Sequence, residues 1–152
     1  AGQSCACCSR ILVQDNVYDA FMEKFLAAVA RAPIGDPLRS DVLFGPVINQ
    51  AAADRILKTI ERAVTQGFGE LVLGGNRIGG ELAAGFYVEP TVFADVDNKM
   101  RIAQEEIFGP VLAAIRCSTS AGQSWCRLIR VPSSRSSWIS TTAISAFSRL
   151  VG

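Results

Sequence analysis

Histidine is absent from the 152-residue sequence. That removes the side chain that most often serves as a general base near neutral pH, and the commonest zinc ligand. Any nucleophile in this chain has to be activated by another route. Charge is sparse as well: 19% of residues are charged, with a net charge of only +1. So small an excess offers no electrostatic handle for nucleic acid or an anionic membrane, and neither is expected as a partner. No apolar run approaches the roughly 18 residues that a membrane-spanning helix requires. The opening residues, Ala1-Gly2-Gln3-Ser4-Cys5, lack an initiator methionine, a basic stretch and an apolar stretch. They do not read as a secretory signal, and the native start is expected upstream. The five cysteines, Cys5, Cys7, Cys8, Cys117 and Cys126, are an odd number without such a signal. This argues against a disulfide scaffold and for a reducing, cytoplasmic setting. What remains is a chain 49% apolar, long enough for one globular core.

Local patterns place helices and strands along the first three quarters. Residues 10–14, rich in branched apolar side chains, predict a strand. Asp15 is expected to cap a helix over residues 16–31, with Tyr18, Phe21, Met22, Phe25, Leu26 and Val29 at helical spacing. Pro33 and Gly35-Asp36-Pro37 close it. Asn49 is expected to cap a second helix, with Ile56, Leu57, Ile60, Ala63 and Val64 on its inner face and Gly67 as its stop. Glu70–Leu73 predicts a strand ended by Gly74-Gly75. Phe86–Phe93 predicts another, with Pro90 placing that part at an edge or bend. A short helix is expected over Met100–Glu106, and a buried strand over Val111–Cys117. Alternating strands and helices imply an α/β domain with a largely parallel sheet. Gly74, Gly75, Gly79 and Gly80 form no G-x-G-x-x-G after a strand, and they read as a surface turn.

Composition breaks near Ser118. Residues 118–152 contain no Asp, Glu or Lys, are rich in serine, and hold both tryptophans and four arginines, Arg127, Arg130, Arg135 and Arg149. They show neither a period of 2 nor one of 3.6. The expected organisation is therefore a domain over 1–117, then a divergent or out-of-frame tail over 118–152 that is poorly ordered.

Two stretches carry the chemistry: Gly2-Gln3-Ser4-Cys5, and far downstream Gln104-Glu105-Glu106-Ile107-Phe108-Gly109-Pro110. Glu89-Pro90-Thr91-Val92-Phe93 lies just before the second. In this order they resemble the nucleophile loop and cofactor-contact segment of the aldehyde dehydrogenase superfamily, over residues 1–117. The resemblance implies a partial catalytic domain of that fold, and NAD or NADP as cofactor. It implies an aldehyde as substrate and a homo-oligomeric parent that oxidises the aldehyde to a carboxylic acid. It makes Cys5 the nucleophile, Glu106 the acceptor for ribose hydroxyls beside nicotinamide, and Phe108 a contact of the nicotinamide region. Cysteine suits such work because its thiolate adds to a carbonyl and its sulfur leaves well from a thioester. A carboxylate suits ribose because it accepts from two hydroxyls at once. Gly2, Gln3, Ser9 and Arg10 match the family pattern. Cys7 and Cys8 depart from it and read as small packing residues, and Glu105 as structural.

The family's phosphate-binding turn, its general base for deacylation and its side-chain oxyanion donor would all lie before residue 1, so the isolated chain is expected to be inactive. Without those residues a coenzyme A-acylating semialdehyde dehydrogenase is the alternative reading of the same motifs, and a non-catalytic remnant is another. From a different class, Cys5-Ala6-Cys7-Cys8 contains a C-x-x-C pair, the mark of a small thiol-redox or metal-binding protein. A strand follows this pair, whereas redox pairs ordinarily follow a strand and open a helix. A tetrahedral metal site would have to recruit Cys117 or Cys126 with no histidine to help, so no metal site is assigned.

Overall fold

A computed structural model describes residues 1–117. The tail over 118–152 lies outside the described residues. Strand β1 (Arg10–Gln14) runs directly into helix α1 (Asp15–Ala30), and α2 (Gln50–Thr65) leads to strand β2 (Glu70–Leu73). Strand β3 (Thr91–Ala94), the one-turn helix α3 (Arg101–Gln104) and strand β4 (Val111–Cys117) complete the order. The four strands form one sheet in the order β1-β4-β3-β2. Both neighbours of β4 run parallel to it, and β2 is antiparallel to β3 at one edge. No described helix is long and apolar enough to cross a membrane.

The period of two along each strand divides the core into two layers. On one face, Val111, Ala113 and Ile115 of β4 and Phe93 of β3 meet Ala53, Ile56, Ile60 and Ala63 of α2. On the other, Ala114 and Val92 meet Tyr18 and Met22 of α1, with Phe21, Phe25 and Leu26 packed around them. A register shift between Leu71 and Leu73 lets β2 turn Val72 and Leu73 toward this second layer while Leu71 faces the first. The strand calls at 10–14, 70–73 and 111–117 are reproduced at the same bounds.

Three expectations need correcting. Asp15 does not cap α1: the cap position is Gln14, which makes no side-chain cap bond, because strand and helix meet without a connecting residue. Asp15 instead sits in the first turn, where its charge faces the helix dipole. Phe86–Phe93 is not one strand. Only Thr91–Ala94 pairs within the sheet, as an interior strand rather than an edge, and Val88 makes a single bridge to Arg77. Pro90, with no N–H to give a ladder, stands just before the first paired residue. Val64 is half exposed, at the margin of an inner stripe that Ala53 completes instead.

Asn49 does cap α2: its side chain accepts from the Ala52 N–H at 2.8 Å. At the far end Gly67 N–H donates to Val64 O, and Phe68 N–H to Ala63 O. With Gly67 at φ +67°, these two bonds form a Schellman stop.

Candidate active site

The cysteine segment precedes β1 and forms a tight turn. Cys7 N–H donates to Ser4 O at 2.9 Å, and Ser4 Oγ accepts from Ala6 N–H at 3.3 Å. Cys5, Cys7 and Cys8 are all exposed free thiols. Cys7 and Cys8 therefore do not pack as small core residues. The turn carries them outward, and the Cys8 thiol donates to the carbonyl two residues on, Arg10 O, at 2.8 Å.

Both ends of this turn are fixed to the rest of the domain. Ser9 O accepts from Ala113 N–H of β4 at 3.0 Å. Gln3 Oε1 accepts from Ile48 N–H at 2.8 Å, just ahead of α2. Gly2 adopts φ +69° against Gly109, so closely that a Cβ there would lie 2.3 Å from Gly109 O. Only glycine satisfies both the left-handed backbone and this approach. The two motifs, distant in sequence, are thus brought into direct backbone contact.

The second motif leaves α3 and enters β4. Glu105 pairs with Arg101, one turn back on the same short helix, in keeping with a structural part. Glu106 is exposed, Ile107 buried, and Phe108 partly exposed with φ +56°. A left-handed phenylalanine is strained by about 1–2 kcal/mol and has to be held there. The holder is Arg55 of α2, whose guanidinium donates to Ile107 O at 2.6 Å and to Phe108 O at 3.4 Å. Gly109 follows because a Cβ there would strike Ile56 Cδ1 at 2.5 Å. Pro110 O then accepts from Thr91 N–H at 2.8 Å, starting the parallel pairing of β3 with β4.

Arg10 links the two halves. Its guanidinium donates to Ala103 O of α3. Burial lowers its pKa, while the negative charges of a Cys8 thiolate and of Glu106 act in the opposite direction. Arg10 matched the family pattern in the sequence but carried no predicted role. Arg55 went unnoticed because it lies on the polar side of an amphipathic helix, where arginines are ordinary. Two surface hollows, of about 400 and 490 Å³, lie along the outer side of α2. Neither is lined by Cys5, Glu106 or Phe108. Among the described residues no group of three Cys, Asp or Glu side chains could hold a metal ion. Glu106 and Phe108 do fit one end of a dinucleotide: a carboxylate and a ring, both accessible, on a backbone that Arg55 has already set.

Comparison with known proteins gives an independent reading. A model described as the aldehyde dehydrogenase family matches residues 1–123, past the 1–117 span of the sequence resemblance. Alpha-ketoglutaric semialdehyde dehydrogenase of Bacillus subtilis (strain 168) is 41% identical over 116 residues, which are 76% of this chain and 24% of that protein. Mitochondrial succinate-semialdehyde dehydrogenase of Arabidopsis thaliana is 43% identical over 119 residues, 78% of this chain and 22% of that one. Among solved structures, an aldehyde dehydrogenase of Mycobacterium tuberculosis complexed with NAD+ superimposes with a TM-score of 0.74 at 44% identity. The match covers 79% of this chain and 24% of the other. The chain spans about a quarter of the length of the curated relatives it matches.

Proposed function

The chain belongs to the aldehyde dehydrogenase family, and from that premise we propose that residues 1–117 are the nucleophile-bearing part of a catalytic domain. The parent enzyme oxidises an aldehyde to a carboxylic acid with NAD or NADP. The observation that carries this reading is the seating of Gly2 on Gly109, which joins the Cys5 turn to the Glu106–Phe108 segment.

In this reading the Cys5 thiolate adds to the aldehyde carbonyl, giving a tetrahedral thiohemiacetal whose oxygen bears negative charge. The exposed position of Cys5 at the crest of its turn leaves that approach open. Backbone N–H groups are the donors suited to such an oxyanion, since they are already oriented when charge develops. A bound nicotinamide would supply the hydride acceptor. Glu106 would accept from the ribose hydroxyls next to that ring and Phe108 would meet it, on a backbone whose Ile107 and Phe108 carbonyls Arg55 holds. The residue left on Cys5 after oxidation is a thioester, cleaved by water.

The test is a segment exchange. Residues 1–117 replace the matching span of the M. tuberculosis relative, and NADH formation is followed with a panel of aliphatic aldehydes and semialdehydes. Retained turnover that disappears on Cys5→Ser, with a KM for NAD that rises on Glu106→Ala, supports the assignment. A folded exchange protein that binds NAD but does not turn over sinks it.

A further inference from the structure

We propose that Arg10 is a positioning residue, which sets the Glu106 segment against the Cys5 turn and so determines how that carboxylate meets the cofactor ribose. This role rests on the reading of Cys5 as the nucleophile and Glu106 as the ribose acceptor.

Arg10 belongs to both halves of the site. Its backbone continues the cysteine turn: its carbonyl accepts from the Cys8 thiol at 2.8 Å, and it opens β1 opposite Ala113 of β4. Its guanidinium crosses to α3 and donates to Ala103 O, three residues ahead of Glu106. Ala103 lies near the end of a helix only four residues long. Carbonyls there have no later N–H of the same helix to meet, so an outside donor fixes the helix end. Ala103 is also fully buried, which makes its carbonyl costly to leave unmet.

Downstream, Arg55 holds Ile107 O and Phe108 O. Glu106 therefore stands between two guanidinium anchors, one at residue 103 and one at residues 107 and 108. Arg55 reaches in from α2, whereas Arg10 ties the span to the strand that the cysteine turn runs into. The placement of Glu106 relative to Cys5 follows from that tie.

Charge acts in the same sense. Glu106 is exposed, and its carboxylate is within electrostatic reach of the partly buried Arg10 cation. A fixed opposite charge restrains where the carboxylate settles. The Arg10 hydrogen bond goes to Ala103 O, which leaves the carboxylate oxygens available to hydroxyls. The competing account is an arginine that only stabilises the domain, and two measurements separate it from a positioning role.

The first is amide exchange in the full 152-residue chain, followed by NMR. Ala103 N–H donates to Met100 O and Glu105 N–H to Arg101 O, both at 2.9 Å, and these bonds close α3. Arg10→Gln is expected to speed exchange at Ala103 and Glu105 about tenfold, the effect of losing one charge-assisted hydrogen bond. Exchange at Ile56 and Ile60 of α2 should stay as it was. Equal acceleration throughout the chain, or no change at α3, overturns the inference. Should Arg10→Gln not fold, Arg10→Lys carries the same comparison, since it keeps the charge and one donor.

The second is NAD binding, by calorimetry, to the segment-exchange enzyme. Arg10→Gln is expected to raise the Kd about tenfold, and to add nothing once Glu106 is replaced by alanine, because both changes remove the same contact. Arg10→Lys should recover part of the affinity. Full additivity of the two changes overturns the inference alone. So does an Arg10→Gln enzyme that binds NAD like its parent while Glu106→Ala weakens binding. Glu106→Ala without effect on NAD overturns the ribose reading instead, and the cofactor consequence of Arg10 with it; the amide exchange reports the anchoring of α3 separately.

Discussion

At the scale of single residues, the site depends on side chains that hold backbone in place. Arg55 is an exposed residue, yet its guanidinium fastens two successive carbonyls that flank a left-handed phenylalanine. Hydrogen bonds from a charged donor are worth about 1.5–3 kcal/mol, less where solvent competes. Arg55→Ala is therefore expected to lower stability by about 1 kcal/mol in urea denaturation. Arg55→Lys should recover little of it, because an ammonium lacks the planar fork that spans two acceptors. Phe108→Gly in the Arg55→Ala background should restore part of the loss by removing the left-handed strain. An Arg55→Ala chain as stable as the parent would show that the loop holds its own shape. A second residue-scale expectation concerns pH. Burial raises the Tyr18 pKa above its ordinary 10.0, with the Asp95 N–H bond to its oxygen and Arg116 over its ring opposing. Burial, then the charge of Asp15, raises the Cys117 thiol above its ordinary 9.0. In both, the folded state prefers the protonated form. Their contribution is present below the ordinary values and is lost as pH rises through the folded ones. The urea midpoint should fall from about pH 9 upward, with Cys117→Ala flattening the first part of the decline and Tyr18→Phe the later part. A midpoint unchanged between pH 8 and pH 11 would contradict this.

At the scale of elements, much was legible because the signals were local. The apolar runs at 10–14, 70–73 and 111–117 are each bounded by turn residues, and each proved to be a strand. Asn49 and Gly67 punctuate α2 as caps should. The failures came where distant partners decide. Phe86–Phe93 has the composition of a strand throughout, but only its last part finds partners in β4 and β2. The site divides in the same way. Cys5, Glu106 and Phe108 could be picked out from short motifs, whereas the Gly2–Gly109 contact and the reach of Arg55 join segments that no local pattern connects. The two glycines around the end of α2 separate local from long-range demands. Gly67 has a left-handed φ and open space around its missing Cβ, so Gly67→Ala should cost only the backbone strain, about 1 kcal/mol. Gly69, at φ +111°, would place a Cβ 2.7 Å from Val96 Cγ2 and 2.8 Å from Ala94 O. Gly69→Ala should therefore be clearly the more damaging of the two by chemical denaturation. Equal losses would mean that the entry to β2 yields to the added methyl group.

At the scale of the whole molecule, the position of the site on the sheet limits what these residues can do alone. β1 and β4 are parallel, and the Cys5 turn and the 106–110 segment both precede their first residues. The site therefore lies at the amino ends of the parallel strands. Open parallel sheets bind nucleotides in the crevice outside the opposite, carboxyl ends. Nothing in the Cys5 turn or the 106–110 segment forms a glycine-rich strand-to-helix turn for a pyrophosphate. In the proposed reading Glu106 and Phe108 engage only the nicotinamide end of a dinucleotide. Remote contacts with the rest of a substrate or cofactor supply the binding energy that positions the reacting end. Hydride transfer needs reacting atoms held roughly 3–3.5 Å apart, a geometry that one carboxylate and one ring cannot enforce. The chain of 152 residues is accordingly expected to bind NAD no tighter than about 1 mM, equivalent to about −4 kcal/mol. It should produce no NADH from simple aldehydes. Titration calorimetry measures the first and absorbance in the NADH band the second. Glu106→Ala should weaken whatever binding is detected. Micromolar affinity, or turnover abolished by Cys5→Ser, would instead mean that these residues make a sufficient dehydrogenase site, with the pyrophosphate held by contacts that the strand geometry does not suggest.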